Sequence, residues 1–128
     1  MEDWKKSRFS FGKFAIIDIM AWNIIVFESA RGEKPVEEFI KFLDEPTIAK
    51  TTHIIDLLEK HGPYLSMPHS RRLTDNLYEL RIRGRQEIRI TYAFIKRDIY
   101  LLHAFKKQKQ KTPSKEIDVA LKRLNTLT

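Results

Sequence analysis

The stretch NLYELRIRGRQEIRITYAFIKRDIYLLHAF, residues 76–105, decides the fold of this chain. Apolar side chains recur at every second position from Tyr78 to Ile82 and again from Ile88 to Phe94, and this period of two indicates strands with one buried face. Short polar turns at 84–85 and 96–98 separate three such runs. Alternating runs joined by short turns predict a three-stranded antiparallel meander.

The segments before the meander are typical of one strand and two helices. WNIIVFE at 22–28 is rich in β-branched and aromatic residues, which favour a strand. The first predicted helix lies in KPVEEFIKFL at 34–43, and the second opens at Pro46 and ends at Gly62 and Pro63. Apolar residues at helical spacing give the expected core faces: Val36, Phe39, Ile40 and Leu43, then Ile48, Thr52, Ile55 and Leu58.

A last helix is predicted after the meander, with Pro113 at its first position and Thr112 as its cap. Its apolar stripe is Ile117, Ala120, Leu121 and Leu124. The segment HGPYLSMPHSRR at 61–72 is predicted to be a loop. The order strand, helix, helix, three-stranded antiparallel meander, helix indicates an α+β fold. One domain is expected over 20–128, with residues 1–19 as an N-terminal extension that the domain does not need.

The charge of the chain is concentrated in its second half. Residues 1–70 hold 9 Lys/Arg and 11 Asp/Glu, whereas residues 71–128 hold 15 Lys/Arg and 6 Asp/Glu, a net charge of +9. Clustered cations gain affinity for polyanions by displacing counterions from phosphates. A polyanionic partner is one interpretation of this basic half, and a solvated basic surface is the other.

Several classes of protein are disfavoured by composition. Cysteine is absent, which excludes disulfide frameworks, thiol nucleophiles and cysteine-based zinc sites. The most apolar stretch, 14–27, is interrupted by Asp18 and Asn23 and is shorter than the roughly 20 residues of a membrane helix. The four histidines, at 53, 61, 69 and 103, are scattered. We expect a cytoplasmic protein with no metal and no cofactor.

Strand alternation is expected to bring three cations to one face of the sheet: Arg81, Arg89 and Lys106. This requires that the last strand alternate without interruption, so that His103 faces the core. Like charges on one sheet face repel, whereas a bound phosphate would hold them together. The alternative is that each arginine forms an ordinary surface ion pair with Glu79 or Glu87.

The motifs of the second half resemble a known family. They are L-x-E-L-R ending at Arg81, R-I-x-Y over Arg89–Tyr92, L-L-H-A-F-K-K over 101–107 followed by K-T-P, and P-x-x-E-I-x-x-A from Pro113. Together they resemble the phage-derived and HigB-type branch of the RelE/ParE toxin superfamily, over about residues 22–126. The resemblance implies the compact RelE-like α+β fold.

The resemblance also implies a function. Such proteins are toxins of type II toxin–antitoxin pairs and metal-independent endoribonucleases that cut mRNA on the ribosome. The ribose 2′-hydroxyl attacks the adjacent phosphorus and leaves a 2′,3′-cyclic phosphate and a 5′-hydroxyl. The implied partners are mRNA, the ribosome and a cognate antitoxin, expected to be a helix-turn-helix protein from a neighbouring gene.

Candidate site residues follow from the matched motifs. Arg81 and Arg89 are expected to stabilise phosphoryl charge, and their replacement is expected to impair catalysis while the protein melts near wild type. Lys106 or Lys107 is the expected general base, and His69, in the loop before the meander, is a further catalytic candidate. Expected RNA contacts are Arg71, Arg83, Lys109 and Lys111. Tyr92, His53 and His103 are expected to be structural.

Two other functions fit the same residues. A ParE-type inhibitor of DNA gyrase belongs to the same superfamily, and a basic module that binds RNA without cutting it has the same charge pattern. RNA cleavage in a translating extract distinguishes the enzyme from both.

Overall fold

Residues 21–108 and 110–128, which the computed structural model describes, form a mixed α+β fold with a five-stranded sheet and three α-helices. The strands are β1 (Asn23–Val26), β2 (Ser70–Thr74), β3 (Leu77–Ile82), β4 (Ile88–Ile95) and β5 (Asp98–Lys106). The helices are α1 (Pro35–Lys41), α2 (Glu45–His61) and α3 (Ser114–Leu127), and a 3-10 turn at Gly62–Tyr64 follows α2. The α+β prediction is confirmed, and the proposed extension at 1–19 lies outside the described residues.

The sheet has the order β1-β5-β4-β3-β2. The meander of β3, β4 and β5 is antiparallel as predicted, and β1 pairs with β5 in parallel. Arg81 lies directly opposite Arg89 across β3 and β4, so these two arginines share one face of the sheet, as the alternation predicted. Within the described part of the chain, no helix is both long and apolar enough to cross a bilayer.

Helices cover both faces of the sheet and divide the core in two. On the first face, α1 and α2 bury a large cluster that includes Leu80, Ile90 and Tyr92. On the second face, α3 covers a smaller cluster around Leu77, Ala93 and Leu102 with its predicted apolar stripe. The α1 core face is also as predicted. In α2 the predicted Ile55 and Leu58 are buried, but Thr47 and Thr51 are buried in place of the predicted Ile48 and Thr52, and Ile54 is buried as well.

The ends of α2 follow their sequence signals. Asp44 caps the helix by accepting a hydrogen bond from the Thr47 backbone N–H at 2.8 Å. Gly62 follows the last residue with a φ of +54°, and a Cβ at this position would overlap the Trp22 indole. Glycine is therefore needed both for the left-handed backbone and for the close approach of Trp22.

The predicted number of strands is wrong, because part of the predicted loop forms β2. Ser70 pairs with Leu80 and Arg72 with Tyr78, which extends the sheet by one edge strand. The segment SRRLT shows little apolar alternation because an edge strand leaves its arginines exposed. Buried Ser70 instead hydrogen-bonds the Tyr92 hydroxyl.

The predicted alternation of β5 is wrong beyond Leu101. A register shift places Tyr92 opposite Leu101 but Thr91 opposite His103, so Leu102 is an extra residue, as in a β-bulge. Every later side chain therefore changes face. Lys106 lies opposite Ile88, on the first face of the sheet.

The predicted cap of the last helix is also wrong. The helix α3 begins at Ser114, with Pro113 in the capping position and no side-chain cap. The Thr112 hydroxyl instead donates a hydrogen bond of 2.5 Å to the carboxylate of Glu79. Glu79 is buried, and a buried carboxylate needs hydrogen-bond donors more than a solvent-exposed helix end does.

Candidate active site

A cavity of about 430 Å³ opens between α2 and the end of β3. Residues from three segments line it: Ala49, Lys50, His53, Ile54, Pro68, His69, Arg81, Ile82 and Arg83. We call it the basic cleft, because it combines two histidines, two arginines and one lysine. None of the described residues in its lining is acidic.

Arg81 connects two parts of this lining, the end of β3 and the loop before β2. Its backbone N–H donates to the carbonyl of His69 at 2.8 Å, which holds these two residues side by side. Its Nη1 donates to the Met67 Sδ at 3.4 Å, so the guanidinium reaches the loop that forms one wall of the basic cleft. Its Nε is buried and has no hydrogen-bond partner among the described residues. A desolvated donor of this kind is costly and gains from a bound anion.

Lys50 and His53 extend the basic cleft along α2, where both are exposed. The ammonium of Lys50 extends over Gly84, where an added Cβ would lie 2.8 Å from Nζ. His53, which was predicted to be structural, lines the basic cleft. The helical period puts Lys50 and His53 on one side of α2, but only the tertiary packing brings that side to β3.

Arg89 differs from the prediction of an exposed phosphate ligand. It is only 1% exposed, and its ion pairs are Nε with Glu79 Oε1 at 3.6 Å and Nη2 with Glu87 Oε2 at 3.2 Å. Burial lowers the pKa of Arg89, and the charge of Glu79 opposes this shift. The arginine therefore pairs with both predicted acidic neighbours, although inside the protein and not at its surface.

The two lysines predicted as candidates for the general base, Lys106 and Lys107, lie in different surroundings. Lys107 is half-buried, and its Nζ lies 3.4 Å from Glu87 Oε2. Burial tends to raise the pKa of Glu87, but the positive charges of Lys107 and Arg89 lower it below its ordinary value of 4.5. The predicted common face of Lys106 and the two arginines is wrong, because the extra residue at Leu102 turns Lys106 to the other face.

The predicted RNA contacts are spread over the second face and the basic cleft. Arg71 is exposed on β2, directly opposite Glu79, and Lys111 is exposed before α3. Arg83 is exposed in the lining of the basic cleft. Lys109 lies outside the described residues.

The remaining histidine and tyrosine candidates are held by structural contacts. His103 does not face the first core as predicted, and its Nε2 lies 2.7 Å from Glu116 Oε1 on α3. Tyr92 is core, as predicted, and burial raises its pKa to about 12. A phenol with this pKa stays protonated near neutral pH. Within residues 21–108 and 110–128, no group of three or more His, Cys, Asp or Glu side chains is placed to hold a metal ion.

Comparison with known families identifies the chain. The model of the family described as Phage derived protein Gp49-like (DUF891) matches residues 38–125. The chain belongs to this family. Gp49-like proteins form a toxin-like family related to the RelE- and HigB-type toxins, which confirms the resemblance at that level. The matched part of the Gp49-like chain contains the whole basic cleft and Arg89. No curated protein matches the chain significantly.

Proposed function

We propose that this Gp49-like protein is the toxin of a type II toxin–antitoxin pair and cleaves mRNA on the ribosome in the cytoplasm. The observation that carries the proposal is the composition of the basic cleft, which joins two histidines to Lys50, Arg81 and Arg83 without an acidic side chain among the described lining residues. The family membership supports the toxin assignment.

The reaction needs a base, an acid and stabilisation of negative charge. RNA supplies the nucleophile, since its 2′-hydroxyl attacks the neighbouring phosphorus once a base removes the proton. His53 and His69 line the same cavity, and an imidazole can serve as either base or acid near neutral pH. One histidine would take the proton of the 2′-hydroxyl, and the other would protonate the departing 5′ oxygen.

Arg81 and Lys50 would stabilise the phosphoryl oxygens as their negative charge grows. Arg81 lines the cavity and forms no ion pair with another described residue, so a phosphoryl oxygen would give its guanidinium a charged partner. Preorganised donors act most strongly where water is excluded. In this proposal Arg89 does not touch RNA, because its charge is already paired and its side chain is buried.

The proposed physiological partner is an antitoxin that covers the basic surface, encoded beside this chain as a helix-turn-helix protein. A surface with a net charge of +9 over residues 71–128 favours an acidic partner segment by complementarity. Copurification of the chain with the products of the adjacent genes tests this part of the proposal.

The decisive experiment measures mRNA cleavage by the purified full-length chain with programmed ribosomes. Products with 2′,3′-cyclic phosphate and 5′-hydroxyl ends are expected. Arg81→Ala should lower the rate by about 10²–10³-fold, the usual loss for one charge-stabilising donor. Arg72→Ala is the matched control, because Arg72 bonds the Asp75 carbonyl at 2.9 Å and does not line the basic cleft. RNA binding without product, or gyrase inhibition without RNA cleavage, would refute the proposal.

A further inference from the structure

The connection between β5 and α3 is attached to the sheet at both of its ends by a carboxylate. At its start, the Lys107 backbone N–H donates to the Glu87 carbonyl at 2.8 Å, and Lys107 Nζ lies 3.4 Å from the Glu87 carboxylate. At its end, the Thr112 hydroxyl donates to Glu79 at 2.5 Å. Thr112 thus reaches β3, two strands away from the end of β5.

Arg89 joins the two carboxylates. It contacts Glu79 through Nε and Glu87 through Nη2, so five side chains form one continuous series, which we call the Arg89 network: Lys107, Glu87, Arg89, Glu79 and Thr112. Because the connection runs from β5 to β3, it must cross β4, the strand that carries Arg89. Arg89 is only 1% exposed although it lies on a sheet face, and Phe105 of β5 lies opposite it on the same face.

Three cations outside the Arg89 network form no ion pair with another described residue: Arg71, Arg81 and Lys111. Arg71 lies opposite Glu79, the residue that anchors Thr112, and Lys111 directly precedes Thr112 in the chain. Arg81 lies opposite Arg89 on the same face and continues into the basic cleft. The anchor of Thr112 therefore ties the chain at Lys111 to β3, the strand that pairs with Arg71 and carries Arg81.

We propose that Arg89 is a positioning residue, which through Glu79 and Thr112 holds the connection in the one placement where Lys111 and Arg71 bind the phosphate chain of RNA leading to Arg81. This inference rests on the proposed RNA cleavage. Arg89 then affects substrate binding only through other residues. Loss of the hydrogen bond from Thr112 to Glu79 should therefore raise KM and leave kcat nearly unchanged.

Thr112→Val is the sharpest test, because it removes only the anchoring hydroxyl. Hydrogen bonds to charged groups are strong enough that their loss shifts an opening equilibrium on the order of tenfold. Trypsin cleavage after Lys107 and Lys111 should then accelerate by on the order of tenfold if cleavage follows opening. KM for ribosome-bound mRNA should rise by a similar factor, and kcat should stay within about twofold.

Two matched variants complete the experiment. Thr112→Ser keeps the hydroxyl and should behave as wild type in both assays. Thr126→Val removes a hydroxyl on α3 that bonds the Arg123 carbonyl at 2.7 Å, away from the Arg89 network, and should change neither. Arg89→Lys keeps the charge but not the planar fork, and should accelerate trypsin cleavage as Thr112→Val does.

The two assays separate the inference from the function on which it rests. Unchanged trypsin cleavage in both Thr112→Val and Arg89→Lys would overturn the anchor, even if the wild type cleaves RNA. Faster trypsin cleavage with an unchanged KM would overturn the role in substrate binding. Failure of the wild-type chain to cleave RNA would refute the proposed function, while trypsin would still measure the anchor.

Discussion

Arg81 and Arg89 face each other across β3 and β4, and their surroundings are opposite in kind. Arg81 lines the basic cleft and forms no ion pair with another described residue, whereas Arg89 is buried between two carboxylates. Each guanidinium has one buried nitrogen, Nε of Arg81 and Nη1 of Arg89, without a hydrogen-bond partner among the described residues. The same residue type on the same sheet face therefore meets two environments, a basic cleft in one place and a buried pair of carboxylates in the other. The proposed roles of the two arginines, phosphate binding for Arg81 and positioning for Arg89, follow from this difference.

The largest effect that would sharpen this comparison is on stability. Arg89→Ala leaves buried Glu79 without its charged partner, and breaking a buried ion pair costs about 3–5 kcal/mol of unfolding free energy. Arg81→Ala should cost less than about 1 kcal/mol, because it removes no ion pair and the side chain is only half-buried. Urea denaturation of both variants measures the difference. Equal midpoints would show that burial does not distinguish the two arginines.

The sequence alone predicted that the alanine variants of both Arg81 and Arg89 melt near wild type. The burial of Arg89 now predicts a large loss of stability for its variant. Alternation correctly assigned both arginines to one sheet face, but it contains no information about what lies above that face. The cover depends on Thr112 reaching Glu79, a contact between residues 33 positions apart that local pattern cannot reveal.

The dependence of stability on pH tests the surroundings of Arg89 through its partner Glu87. Its pKa is lowered in the folded protein, so its contribution to stability is present above about 4.5 and is lost as pH falls through the lower folded pKa. The unfolding free energy of Glu87→Gln should therefore decrease less than that of wild type between about pH 5 and pH 3. Glu38→Gln is the control, since Glu38 is exposed and pairs with Lys41 on the outer side of α1. An identical decrease in wild type and Glu87→Gln would contradict the ionic role of Glu87.

The smallest expected effect is on RNA binding, and it concerns two exposed lysines near the ends of the connection, Lys106 and Lys111. Lys106 lies opposite Ile88 on the first face, so Lys106→Ala should leave RNA binding and its salt dependence unchanged. Lys111→Ala should lower the slope of log Kd against log salt by about 0.7–1, the value for one lost phosphate contact. Fluorescence titration with single-stranded RNA at several salt concentrations measures both. A reduced slope for Lys106→Ala would show that the face assignment is wrong.

Sequence patterns predicted most of the fold and a smaller part of the candidate site. Helical and strand periods identified α1, α2, α3 and the meander because burial imposes those periods. They missed the extra residue in β5, since Leu101 and Leu102 are both apolar and both buried, so alternation does not show which one is extra. A motif identified Arg81 and the loop position before the meander identified His69, but Lys50 and His53 could not be found, because α2 meets β3 only in the folded chain.

The parallel pairing of β1 with β5 determines the order in which the chain can fold during synthesis. Asn23 bonds Asp98, a residue 75 positions later, so β1 has no sheet partner until β5 has been translated. Such distant contacts are entropically expensive to close and form slowly. Ile24, Ile25 and Val26 of β1 therefore have no strand to pair with while the nascent chain grows, and unpaired apolar segments of this kind are prone to aggregate.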